Sequence, residues 1–174
     1  MKNLLALTAL LAGLVSANAA DLFYVANLTP GQEAFHNDDP QGVPPDRSGS
    51  GTANFTLTDT GSFSYTVSYS GLSGNSTAAH IHGPGAPGVD AGVLFPLQGG
   101  TFGSTSGSFN GSVTLNQSQI DQLNGGLWYV NIHSANFPVG EIRGQITAVP
   151  EPGTVALLVA AGGLMLTLRR KRAN

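Results

Sequence analysis

Two runs of strict alternation constrain this chain more than any other feature. Ala53, Phe55 and Leu57 alternate with Asn54, Thr56 and Thr58. After Asp59-Thr60-Gly61, Phe63, Tyr65, Val67 and Tyr69 alternate with serines and Thr66. Side chains of an extended strand point to opposite faces in turn, so each run has one apolar and one polar face. Joined by a short Asp/Gly turn, the two runs specify an antiparallel hairpin with one buried face.

Similar segments flank it. Leu22 to Leu28 has strand composition and stops at the turn signal Thr29-Pro30-Gly31. Gln32 to Ser48 is a long polar stretch that fits no regular element. Thr77 to His82 reads as a strand cut off by Gly83-Pro84-Gly85, and Val93 to Phe95 as a short strand before Pro96. Gly107 to Leu115 is another, with Phe109, Val113 and Leu115 on one face and an irregularity expected at Gly111. Asn116 is placed to cap the one expected helix, Gln117 to Leu123, which Gly125 ends. Leu127 to Ser134 and Glu141 to Thr147 complete the strands, with a turn between them. Many short strands with Gly/Pro turns and one short helix imply an all-β class, a sandwich or barrel.

The two ends do not belong to that domain. Residues 1–19 carry Lys2, an apolar run from Leu4 to Val15 and the small-residue triplet Ala17-Asn18-Ala19. This is the pattern of a secretory signal peptide cleaved after Ala19 or Ala20. At the other end, Thr154 to Leu168 is uncharged and precedes Arg169-Arg170-Lys171-Arg172. As a helix it would reach about 22 Å, a thin membrane anchor with its basic end in the cytoplasm.

Between them, residues 21–148 hold nine acidic residues against Arg47 and Arg143, with no lysine and no cysteine. A net charge near −7 argues against nucleic acid as a partner. An exported domain without disulfides must be stabilised by its packing or by a metal.

Three of this domain's four histidines lie on its expected strands. In His80-Ile81-His82, both imidazoles point to one face and Ile81 to the other. His133, in Tyr129-Val130-Asn131-Ile132-His133, joins them if the two strands pair. Such a trio is a workable ligand set for copper or zinc, and ring-nitrogen separations of roughly 3–4 Å would suit one tetrahedral ion. The alternative is that the three simply hydrogen-bond across strands. Glu141 and Arg143 share a face opposite Ile142 and are expected to form an ion pair; Arg143 could instead orient Glu141 or Asn131 behind the histidines. Trp128 faces away from His133 and reads as core. Asp38, Asp39 and Asp46 offer calcium-type oxygens without an EF-hand spacing, and His36 lies in the same polar stretch. No spacing suggests a Ser/His/Asp arrangement, and no G-x-S-x-G occurs.

In order along the chain, Ala79-His80-Ile81-His82-Gly83-Pro84, the short helix, Tyr129-Val130-Asn131-Ile132-His133-Ser134 and Gly140-Glu141-Ile142-Arg143-Gly144-Gln145 resemble the CHRD domain, named for chordin. The resemblance implies an immunoglobulin-like β-sandwich, a fold loosely compared with copper/zinc superoxide dismutases, and no established activity. The dismutases' H-x-H is matched, but their further histidines, aspartate ligand and disulfide are not, so dismutase activity is not expected.

Residues 149–174 resemble a PEP-CTERM sorting signal: Pro150-Glu151-Pro152, an apolar helix and a basic tail. That implies export by signal peptidase, transient anchoring in the inner membrane of a Gram-negative bacterium, and release by an exosortase. Taken together, the expected protein is a non-catalytic cell-surface or matrix protein associated with exopolysaccharide. The alternative is a copper- or zinc-binding domain.

Overall fold

The computed structural model describes residues 20–33 and 47–150. Among these, the chain forms β1 (Leu22–Leu28), a 3₁₀ turn (Pro30–Gln32), β2 (Ser50–Leu57), β3 (Ser62–Ser70), β4 (Ser76–His82) and β5 (Val93–Pro96). It continues through β6 (Gly107–Thr114), α1 (Gln117–Asn124), β7 (Tyr129–Ser134), β8 (Ile142–Gln145) and β9 (Thr147–Ala148). The strands make two antiparallel sheets, ordered β6-β3-β2-β1-β9 and β5-β4-β7-β8.

The alternating runs pair as expected, from Leu57 opposite Phe63 to Ser50 opposite Ser70. Their apolar rows are buried and meet Ala79, Ile81, Val130, Ile132 and Ile142 from the second sheet in one core. At its centre Phe63 is fully buried, stacked on Phe55 with ring centroids 5.1 Å apart. Tyr24 and Trp128 meet Phe63 edge-on at 6.2 and 6.0 Å. Trp128 is therefore core, and its indole N–H is satisfied by Gln122 Oε1 at 3.2 Å. The helix begins in a reciprocal cap between Asn116 and Gln119, ends at Gly125 and buries Leu123.

Three expectations differ in detail. Gly111 causes no irregularity: the β3–β6 register runs unbroken through it, opposite Tyr65. A Cβ there would stand 2.6 Å from the Tyr65 hydroxyl, which accepts from the Gln98 N–H, so the glycine makes room for that ring. Glu141 to Thr147 is not one strand. β8 pairs with β7, then the chain crosses at the buried Ile146 so that β9 pairs with β1 in the other sheet. Leu127 and Trp128 precede β7 rather than starting it. No helix among the described residues is long and apolar enough to cross a membrane; the 154–168 segment lies outside them.

Truncating the central ring should cost most of the domain's stability. Phe63→Ala removes a fully buried aromatic, for which about 3–5 kcal/mol is typical, against a total of about 5–15 kcal/mol. Urea unfolding monitored by Trp128 fluorescence checks this; a midpoint near wild type would contradict it.

Candidate metal centre

Pairing of β4 with β7 sets His80 opposite Asn131 and His82 opposite Tyr129; pairing of β7 with β8 sets Asn131 opposite Arg143 and Tyr129 opposite Gln145. Because Ile81, Val130, Ile132 and Ile142 point into the core, their neighbours point away from it, onto the outer face of the second sheet. The same unbroken register sets His133 opposite Ala78, diagonal to His80, and shifts only beyond that pair, between Ala78 and Ser76. The three histidines thus share one face.

They also converge. His80 Nδ1 lies 3.0 Å from His133 Nε2, and one nitrogen from each ring lies within 4.8 Å of the others. That bound is wider than the 3–4 Å of a preformed tetrahedral set. His82 and His133 are nearly buried, and His80 is partly open.

Hydrogen bonding decides which nitrogens are free. His133 Nδ1 lies 2.9 Å from the Pro138 carbonyl and His82 Nδ1 lies 2.9 Å from the Ala91 carbonyl. A carbonyl can only accept, so both Nδ1 atoms carry the proton and both Nε2 atoms hold lone pairs. His133 Nε2 then accepts from His80 Nδ1. His82 Nε2 is buried and has no partner among the described residues.

All three rings are held neutral. Burial lowers His133 to about 4, helped by the charge His80 would carry. Burial also lowers His80 and His82, with the other histidine adding to the first and Arg143 to the second. Neutral imidazole is the form that ligates.

The other residues expected here are arranged differently from the expectation. Glu141, fully buried, does not pair with Arg143: its Oε1 accepts from the backbone N–H groups of Ser73 (2.5 Å) and Ser48 (3.3 Å), tying two loops. Arg143 reaches Asp90 at 3.6 Å, donates to the Ala86 and Val89 carbonyls, and lies 3.4 Å over the Tyr129 ring. The reason is register. Arg143 lies diagonal to Tyr129, whereas Glu141 lies before β8, where its carboxylate faces the 48 and 73 loops. Asn131 donates to Glu33 Oε2 at 3.3 Å, so it orients Glu33 rather than a histidine. Gly140 makes this possible: its φ is +142°, and a Cβ there would stand 2.5–2.8 Å from Asn131 and Glu33. Glu33 is 7% exposed, and burial raises it to about 8.

Four participants have no place in the sequence reading: Tyr129, Glu33 and the Ala91 and Pro138 carbonyls. Tyr129 was available from alternation, two residues before Asn131 on the same face. A carbonyl carries no sequence signal. His36, Asp38, Asp39 and Asp46 lie outside the described residues, as do Ala17, Ala19, Glu151 and Pro152; Ala20 and Pro150 are described and exposed.

The architecture is that of a two-sheet antiparallel β-sandwich with a histidine cluster on the outer face of its smaller sheet. The CHRD domain family model matches residues 24–146, and the chain belongs to that family. No curated protein and no solved structure matches it.

The buried groups make opposite demands on pH. Between about 6.5 and 4 the unfolded chain takes up a proton that folded His133 refuses, so its contribution to stability falls as pH falls. Folded Glu33 keeps a proton up to about 8 that the unfolded chain releases near 4.5, so its contribution falls as pH rises through that window. Glu33→Gln should therefore gain on wild type by up to ~1.4 kcal/mol per pH unit between those limits. Urea unfolding of both metal-free proteins at several pH values reads this; a constant difference would mean that Glu33 ionises normally.

Proposed function

We propose that this protein is an exported, non-catalytic β-sandwich domain that holds a copper or zinc ion on His80, His82 and His133. The observation that carries the reading is the buried, unpartnered Nε2 of His82 beside two further neutral rings. A buried acceptor without a donor costs about 1–3 kcal/mol, which an ion recovers. Two of the rings give their second N–H to a backbone carbonyl, the arrangement that fixes the orientation of ligating histidines. The residues fit the group. A bound ion would tie β4 to β7, replacing the single contact between His80 and His133 and offering the stabilisation that a disulfide-free exported domain lacks. Occurrence of CHRD domains in extracellular or secreted proteins supports the exported setting.

Mature, untagged protein produced in a periplasm should retain about one copper or zinc ion per chain by elemental analysis. Adding metal to the stripped protein should raise its Tm: at a hundredfold excess over Kd the gain is about 2.7 kcal/mol. His82→Ala should remove most of that gain. Absence of both retained metal and any Tm change overturns the assignment.

A second reading concerns placement and rests on the tail. Pro150-Glu151-Pro152, the apolar 154–168 run and Arg169-Arg170-Lys171-Arg172 support sorting by an exosortase toward a surface or exopolysaccharide matrix. Mass spectrometry of the mature protein from its own host should show a chain that starts near Ala20 and lacks the residues beyond about Pro152. An intact basic tail counts against sorting and leaves the metal site unaffected.

A further inference from the structure

We infer that Arg143 and Tyr129 are positioning residues for the histidine centre, acting through the 83–92 segment to determine which nitrogen of His82 is free. The inference rests on the metal reading for its purpose but not for its test.

The segment between β4 and β5 is fastened to the sheet at successive points. Arg143 Nη2 donates to the Ala86 carbonyl at 3.2 Å and the Val89 carbonyl at 2.9 Å, while Nη1 faces Asp90 at 3.6 Å. The Ala91 N–H donates to the Tyr129 hydroxyl at 3.0 Å. At the end of this series the Ala91 carbonyl accepts from His82 Nδ1. The Ala86 and Val89 carbonyls and the Ala91 N–H, on the approach to that carbonyl, are thus held by side chains of β7 and β8.

The same two side chains also form a stack. The Arg143 guanidinium lies 3.4 Å over Tyr129, and the Tyr129 ring lies parallel to His82 within 9°, centroids 4.9 Å apart. The plane of the imidazole is therefore fixed by the stack, and its proton by Ala91. With Nδ1 occupied, Nε2 is the nitrogen left to ligate. Arg143 is 1% exposed and one of two arginines in an acidic domain. Only a planar, forked cation can bridge two carbonyls and stack at once, so lysine would not replace it. His133 supplies an internal comparison, since its Nδ1 is held by Pro138 on an unrelated turn.

The test is long-range ¹H–¹⁵N correlation of the imidazoles in the metal-free mature protein. Wild type should show His82 and His133 both protonated at Nδ1. Tyr129→Phe keeps the ring stack but removes the hydroxyl that accepts from the Ala91 N–H and donates to the Ala91 carbonyl at 3.4 Å, and Arg143→Met keeps length but removes the fork. In each, His82 should shift toward the Nε2-protonated form while His133 stays unchanged, and copper or zinc affinity should fall about 10–100-fold. Glu141→Gln, equally buried but fastened to the Ser48 and Ser73 loops, should lower Tm without moving the His82 proton. If Arg143→Met does not fold, Tyr129→Phe decides alone. Retention of the Nδ1 proton on His82 in the folded variants overturns the inference, whether or not metal binds. A shifted proton in a protein that binds no metal upholds the positioning and refutes the metal reading instead.

Discussion

Strand β7 is buried along its whole length and on both faces, and most of the remaining architecture answers to that. Its inward row, Val130 and Ile132, needs only packing against the five-stranded sheet. Its outward row, Tyr129, Asn131 and His133, carries polar atoms that have lost water and must find partners in the protein. Each draws its own cover. The 83–92 segment brings Ala91 to Tyr129, the 3₁₀ turn leads Glu33 to Asn131, and the 135–140 turn brings the Pro138 carbonyl to His133. Irregular segments that would otherwise be surface loops become walls of a site.

The five-stranded sheet shows what happens without such cover. Its outer rows, Thr52, Asn54, Thr66, Ser68, Ser108 and Asn110, are exposed and uncharged, and water satisfies them. The sandwich is therefore asymmetric: one outer face is wet and chemically plain, the other dry and crowded with titratable groups. In the dry face each interaction is strengthened by exclusion of solvent, and each omission is costly for the same reason. This explains why a domain carrying seven net negative charges buries Arg143 there. The guanidinium offsets the nearby acids and supplies donors to carbonyls that water cannot reach.

Period-2 patterning made the first sheet readable from residues alone, because alternating rows such as Phe63, Tyr65, Val67 and Tyr69 state both element and face. It also placed His80, His82 and His133 on a common face, since parity of spacing survives small errors in strand ends. Where parity was not enough, the sequence misled. Glu141 and Arg143 share parity, but a long side chain chooses partners by what surrounds its tip: Glu141 found backbone N–H groups from distant loops, and Arg143 found carbonyls of a strap no periodicity describes. Gly111 looked like a strand defect because its use is to accommodate Tyr65 on the neighbouring strand, a relation invisible until the register is known. The sheet crossing at Ile146 was hidden for a similar reason, since an apolar residue in sequence does not say which of two sheets its neighbours join.

The dry face leaves several buried polar atoms without partners among the described residues, and they differ in what could satisfy them. Glu33 can shed its charge without outside help: a proton turns the carboxylate into a neutral acid, and burial already favours that form. His82 Nε2 has no such exit. Protonating it would make a cation in a buried position next to Arg143, which desolvation and like charge both oppose. Moving the ring's existing proton from Nδ1 to Nε2 would leave a buried N–H without an acceptor and forfeit the bond to Ala91. His133 faces the same obstacle more severely, with its partner His80 as competitor for any proton. A metal ion differs from a proton in this setting because it can accept several lone pairs at once. The arrangement refuses protons and keeps lone pairs, and those two properties together are what a transition-metal ligand set requires.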